Sequence, residues 1–299
     1  SWILYDRSKM KKIILLMPTY NDWESLIKLL EEINSVIKNI KDYTFKCIIV
    51  NDCSSEKQPK IIKPKNFSSL KIINMKENRG HARCNAVGLR YINSKETYDY
   101  VIIMDSDGED RPIEIKDLIN KINEKPEVSV VAKRVKRAEG LIFQTLYQIH
   151  KLITFIFTGK KVNFGNYSCL TKVDINTLSD KASLWSSFSG SIRKYLKNLN
   201  ETESTRGLRY FGPSKMSLFN LIVHSFSIIA VFKYTVFLRS TFIIIILSFF
   251  NNLLGSMIII VQILIVFFNL LIFIVSKREN EKELLKSNDN ILSENEIIH

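Results

Sequence analysis

From Met216 to Ser276 the chain is almost continuously apolar, and a run of that length has to be covered by lipid or by the rest of the protein. Two segments within it, Phe237–Leu254 and Ser256–Ser276, are each about long enough to cross a hydrocarbon core of roughly 30 Å. Asn251, Asn252 and Gly255 offer a turn between them. Charge is nearly absent from Thr241 to Ser276, which disfavours the alternative of a helical hairpin buried in a soluble protein. Lys233 and Arg239 flank the first span and Lys277 and Arg278 the second, so both outer ends are expected in the cytoplasm. Met216–Phe232 mixes apolar residues with Asn220 and His224 and predicts an amphipathic helix in the interface. The expected organisation is a soluble domain over residues 10–213 and a juxtamembrane helix over 214–234. Two transmembrane helices follow over 235–276, then a polar, mobile cytoplasmic tail over 277–299. Ser1–Lys9 precede Met10 and read as a leader with no assigned function. Ile13–Met17 is too short for a signal peptide and reads as a strand.

The first 213 residues follow a different rule. Lys12–Met17, Phe45–Val50, Leu70–Asn74, Tyr100–Met104 and Val128–Ala132 are short apolar runs that read as strands. Trp23–Ile37, Gly80–Ile92 and Ile113–Ile122 carry apolar residues at helical spacing, with Pro112 at a helix start. Alternating strands and helices predict an α/β domain with a mostly parallel, Rossmann-like sheet covered by helices. In such sheets ligands sit beyond the carboxyl ends of the strands. Polar clusters fall at four of those ends: Thr19-Tyr20-Asn21-Asp22, Asn51-Asp52, Asn78-Arg79-Gly80 and Asp105-Ser106-Asp107.

The formal net charge of +13 suits an anionic membrane surface or a phosphorylated substrate. Neither finger spacing nor an aromatic nucleic-acid strand is present, which argues against a nucleic-acid partner. The four cysteines form no CxxC pair and the four histidines show no zinc spacing, so reduced thiols and no zinc site are expected.

Asp105-Ser106-Asp107 places two carboxylates at a strand end, where they can offer oxygen atoms to Mg²⁺ or Mn²⁺; either ion also binds diphosphate oxygens. The same pattern can equally be a helix cap or a solvated loop. Asp52 suits a base or ribose but also caps turns. Asn78-Arg79-Gly80-His81-Ala82-Arg83 suits phosphate at a helix start, through amides and guanidinium charge. It is neither a P-loop nor a dinucleotide fingerprint. Lys133-Arg134-Val135-Lys136-Arg137 reads as a phosphate clamp or, equally, as a solvated basic loop.

Taken together, Met17-Pro18-Thr19-Tyr20-Asn21, Ile48–Ser54, Asn78–Ala82 and Met104–Pro112 resemble the family 2 glycosyltransferases of the GT-A fold. The resemblance is nearest to the polyprenyl-phosphate branch that includes dolichyl-phosphate mannosyltransferase. Arg209–Ser217 is similar to the segment that leads into the juxtamembrane helix of that branch. The resemblance implies that Pro18, Tyr20, Asp22 and Asp52 line the nucleotide pocket together with Arg79 and Gly80. It further implies that Asp105 contacts ribose or diphosphate, that Asp105, Asp107 and Glu109 hold the cation, and that Arg134 and Arg137 grip phosphate. The implied reaction is inverting transfer of a hexose from a UDP-glucose or GDP-mannose type donor to a polyprenyl phosphate. It would take place among membrane lipids at the cytoplasmic face of an inner or plasma membrane, with a homo-oligomer left open. Two alternatives stand beside it: transfer to a glycolipid or polysaccharide hydroxyl, and a non-catalytic scaffold.

The chain departs from the family pattern at Asn51 and Cys53, in a motif that usually reads Asp-Asp-Gly-Ser. It departs again at Gly165-Asn166-Tyr167-Ser168, where relatives often have Gly-Asp-Phe-Arg. Asn166 cannot serve as a carboxylate base. A phosphate acceptor is already ionised near neutrality and needs none, whereas a hydroxyl acceptor would.

Overall fold

The computed structural model describes residues 10–137, 141–213, 217–250 and 255–298. Residues 1–9, expected to be a leader, Ser214–Met216, and the Asn251-Asn252 turn with the end of the first expected span lie outside them. The strands are β1 (Lys11–Thr19), β2 (Tyr43–Asn51), β3 (Phe67–Met75), β4 (Tyr100–Ile103), β5 (Val130–Arg137), β6 (Phe164–Thr171), β7 (Asn200–Arg206) and β8 (Ile291–Ile297). They form one sheet in the order β7-β5-β6-β4-β1-β2-β3-β8.

The centre of the sheet is parallel: β4, β1, β2 and β3 pair in sequence. Ile13–Met17 of β1 are fully buried on both faces, which is why the run shows no alternation. Helix α1 (Trp23–Ile37) buries Leu26, Leu29, Leu30 and Ile33 at helical spacing against one face. Helix α2 (His81–Lys95) covers the other face, and Gly88 lets it approach, since a Cβ there would stand 2.4 Å from Leu16. Helix α3 (Ile115–Glu124) joins α1 in the first core. The flank is mixed: β6 runs antiparallel to both β4 and β5, and β7 is parallel to β5. Helices α5 (Lys172–Ser179) and α6 (Phe188–Tyr195) connect β6 to β7.

The apolar helices form a separate layer. Helix α4 (Leu141–Thr158), to which the sequence pattern assigns no element, joins α7 (Leu218–Ala230), α8 (Lys233–Phe249) and α9 (Ser256–Ser276). Phe157 of α4 and Phe226 of α7 meet Phe268 of α9, with ring centroids 4.6 and 5.9 Å apart. Among the described residues one helical stretch, Ser256–Leu285, is long and apolar enough to cross a membrane. Helices α7 and α8 qualify as a second only if taken as one span bent by 84°. The expected interface helix thus runs, after the bend, into the first expected span.

The tail differs from expectation. After helix α10 (Glu281–Leu285), β8 pairs antiparallel with β3 over six residue pairs and covers its edge. Its sequence, ILSENEI, is too polar to read as a strand. Backbone pairing, Ile291 and Ile297 at the core margins, and a 2.6 Å bond from the Tyr91 hydroxyl to Glu294 hold it in place.

Candidate active site

The four polar strand ends converge on one rim because parallel strands deliver their carboxyl ends to the same side. The loops after β1 and β2 are stitched together there. The Asp52 amide donates to the Thr19 carbonyl at 2.9 Å, and the Asn21 amide to the Ser54 hydroxyl at 2.9 Å. Asn21 itself is left-handed, at φ 48°. Pro18 is buried in β1 opposite Val50, while Tyr20 stands exposed at the rim.

Asp52 is buried, and its two oxygens take the amides of Arg79 at 2.7 Å and Gly80 at 2.8 Å. Burial raises its pKa, and those two hydrogen bonds draw it only part of the way back. The structure therefore spends the Arg79 and Gly80 amides, expected to meet phosphate, on holding this turn. The Arg79 guanidinium is likewise engaged, by Glu77 at 2.6 Å and Asn290 of the tail at 3.2 Å.

The loop after β4 gathers four acids. Asp110 is buried and accepts the Asp105 amide at 2.9 Å. Burial and the neighbouring Asp105 charge push its carboxyl well above the ordinary range. Asp105 is affected oppositely: burial opposes its ionisation, but the charges of His81, Arg206 and Arg134 and the Asn166 amide outweigh burial and lower its pKa. Burial and repulsion from Asp105 lift Asp107 to about 6, against the pull of Arg209 and Arg206.

The cations come from the mixed flank. Arg134 on β5 lies across Gly165, where a Cβ would stand 2.2 Å from the guanidinium, so any side chain there would have to displace it. Arg206, the last residue of β7, pairs with Glu109. Arg209 pairs with Asp107 at 2.7 Å and with Asp22, so one guanidinium joins the ends of β1 and β4. The segment carrying it is laid along the acidic loop by two backbone bonds, Gly207 to Glu109 at 2.8 Å and Tyr210 to Asp107 at 3.0 Å. Gly108, at φ 89°, leaves the space that the Tyr210 ring fills. For Arg137 the described backbone ends β5 in register with Arg206.

Asn166 on β6 donates to Asp105 at 3.1 Å, and its amide nitrogen lies 2.9 Å from His81 Nε2, which is itself 3.1 Å from the same Asp105 oxygen. His81, Asn166 and Asp105 thus form one polar cluster. His224 of α7 lies within electrostatic reach of it, and also of Arg134 and of His150 on α4, so the apolar layer abuts the rim.

Asp105 and Asp107 suit a hard divalent cation. Both are partly buried, they repel each other, and such an ion with diphosphate oxygens needs only one or two protein carboxylates. Glu109, expected as a third ligand, is instead paired with Arg206. No group of three acid, histidine or cysteine side chains able to hold an ion is formed among the described residues. Reading the sequence missed Arg206, Asp110 and the part played by His81. Arg209 lay in a segment noted for its family likeness, but nothing in the spacing pointed it at Asp107.

The profile of the glycosyl transferase family 2 matches residues 14–188, more than half of the chain and every strand end of the rim. The chain belongs to the family 2 glycosyltransferases. A curated relative, the undecaprenyl-phosphate 4-deoxy-4-formamido-L-arabinose transferase of Salmonella choleraesuis, is 24% identical over 228 residues, covering 73% of this chain and 67% of that one. The same enzyme of Salmonella paratyphi B matches to the same extent. Among solved structures, mannosyl-3-phosphoglycerate synthase of Rubrobacter xylanophilus superposes with a TM-score of 0.52 at 11% identity, covering 74% of this chain and 72% of that one. That likeness bears on fold, and it agrees with the GT-A architecture of this family 2 chain.

Proposed function

We propose that this glycosyltransferase passes a hexose from a nucleotide-diphosphate sugar to a polyprenyl phosphate at a membrane surface. One observation carries the reading: the acidic rim and the apolar helical layer share a boundary, where His224 of α7 lies within electrostatic reach of His81, Arg134 and Asp105. A donor held on the rim would meet an acceptor presented from the lipid side. The undecaprenyl-phosphate acceptor in the name of the Salmonella relative supports this acceptor class.

In this reading Asp105 and Asp107 hold Mg²⁺ or Mn²⁺, and the ion when bound offsets the charge of the departing nucleoside diphosphate. Arg209 and Arg206 supply positive charge beside the same carboxylates and fix the loop that carries them. Arg134, lying across Gly165 beside Asp105, faces the phosphate oxygens of donor or acceptor. Asn166 orients Asp105 by a hydrogen bond and takes no proton. Attack by an already ionised phosphate oxygen on the anomeric carbon, opposite the leaving diphosphate, requires no base and inverts the configuration. The catalytic domain would stand on the cytoplasmic face.

The Asn at 166 favours a phosphate acceptor over a sugar hydroxyl, which would need a carboxylate to remove its proton. Membranes containing the protein, incubated with labelled UDP- and GDP-sugars with and without added polyprenyl phosphate, test the choice. An acid-labile labelled lipid that depends on the added phosphate is expected. An acid-stable glycoside would identify a hydroxyl acceptor, and donor binding without transfer would identify a scaffold.

A further inference from the structure

Beyond the rim, five cations face one cavity. Lys160 and Lys161 after α4, and Arg193, Lys194 and Lys197 at the end of α6, line a groove of about 390 Å³ with Gly159 and Leu196. None of these residues belongs to the acidic rim. The groove lies against the apolar layer: Lys194 Nζ donates to the Val231 carbonyl at 2.8 Å, at the bend between α7 and α8. A Cβ on Gly159 would stand 3.2 Å from Arg239 of α8.

Helix ends alone do not explain the cluster. The carboxyl termini of α4 and α6 each present roughly half a negative charge, so together they offset about one of five cations. Glu201 lies 3.5 Å from Arg193 but is shared with Lys133 at 3.6 Å. Among the described residues no carboxylate lies within ion-pair distance of Lys160, Lys161, Lys194 or Lys197. A general attraction of lysines to an anionic bilayer would account for exposed charge. It would not account for Arg193, whose guanidinium stacks 5.3 Å from the Phe164 ring and whose Nε is buried without a hydrogen-bond partner.

We propose that this groove binds the phosphate of an anionic membrane-lipid headgroup. Inorganic phosphate offers the same oxygens, but the apolar wall singles out the lipid. Phe155 and Ile156 of α4 stand exposed at the groove's edge, with Lys161 5.9 Å from the Phe155 ring, and lipid chains would run along them. The proposal rests on the membrane reading above and makes the site an anchor that fixes the height of the rim over the lipid.

Full-length protein in a neutral detergent is titrated with short-chain phosphatidylglycerol, short-chain phosphatidylcholine and inorganic phosphate, with binding followed by thermal stabilisation. Phosphatidylglycerol is expected to bind at least about tenfold more tightly than either other ligand. The triple variant Lys160→Gln/Lys161→Gln/Lys197→Gln should lose at least about tenfold of that affinity, with nucleoside-diphosphate affinity unchanged as the check on folding. Equal binding of the two lipids, or an unaltered variant, overturns the proposal. Inorganic phosphate matching phosphatidylglycerol overturns the lipid assignment. Release of the protein from membranes by alkaline carbonate would overturn the membrane reading itself, and absence of donor binding would overturn the transferase reading while leaving the groove's result intact.

Discussion

In the centre of the sheet, β3-β2-β1-β4, every pairing is parallel, the strands are apolar, and the polar residues wait at the ends. On the flanks, β6 and β8 run antiparallel to their neighbours, and β7 and β8 read as polar segments, NETESTR and ILSENEI. The two regions also contribute opposite charge. Asp22, Asp52, Asp105 and Asp107 come from the centre, whereas Arg134, Arg206 and Arg209 come from β5, β7 and the segment after β7. The site is therefore a charge-matched seam between the parallel half-sheet and the mixed flank. An acidic loop with a buried Asp110 and a raised Asp107 is tolerable because the flank brings guanidiniums to it.

The seam can be broken from the acidic side with the largest effect. Asp107→Asn keeps the shape of the loop but removes the charge, and sugar transfer should fall by about a hundredfold to a thousandfold. Initial rates on a variant with unchanged thermal midpoint check this, and a full rate would remove Asp107 from the chemistry. From the flank side, Glu114 is the weak point: buried before α3, it accepts the Ser204 hydroxyl at 2.7 Å and the Thr205 amide at 2.9 Å. Glu114→Ala leaves both donors unsatisfied and should cost about 2–3 kcal/mol, seen as a lower thermal midpoint. Donor affinity should fall with it, because β7 carries Arg206 and leads to Arg209.

A smaller effect follows from pH. An ordinary Asp titrates near 3.8, whereas Asp107 in the folded chain holds its proton up to about 6. Between those values the native state carries a proton that the unfolded state has lost, so this group lowers stability as pH rises from about 4 to about 6. If Asp107 holds the cation as proposed, cation-dependent nucleotide binding needs its ionised form. It should be roughly tenfold weaker at pH 5 than at pH 7, and level above the titration. Titration calorimetry with a nucleoside diphosphate and Mn²⁺ measures the slope; Asp107→Asn should abolish it.

The centre of this comparison was legible in the sequence and the flank was not. Buried parallel strands such as Ile13–Met17 are continuous apolar runs, and rim residues follow them directly, so Asp52, Asp105 and Asp107 could be placed from order alone. The pairing of β8 with β3 joins residues more than two hundred positions apart, and nothing local in ILSENEI announces it. Arg206 and Arg209 reach the rim because β7 returns parallel to β5, a crossover that the polar run does not signal. Helix α4 went unassigned because its apolar side chains face two ways, Phe157 inward and Leu152 and Phe155 outward.

The subtlest contrast lies within the centre itself, at two left-handed residues on neighbouring loops. Cys53 adopts φ 55° where the family motif usually has Gly, and its thiol makes only a 3.6 Å contact with the Lys76 carbonyl. A side chain in that region costs about 1–2 kcal/mol, of which roughly half is returned because glycine loosens the unfolded chain. Cys53→Gly should therefore stabilise by about 0.5–1 kcal/mol, a rise of a few degrees in thermal midpoint. Asn21, at φ 48°, belongs to a residue type that tolerates this backbone, and its side chain bonds Ser55 at 2.9 Å and the Glu56 amide at 3.0 Å. Asn21→Gly should shift the midpoint down, since the lost bonds outweigh the relief of backbone strain. Opposite signs at the two positions would show that Asn21 is fitted to its turn while Cys53 merely endures one; a fall in both would mean that the Cys53 side chain contributes something its single weak contact does not reveal.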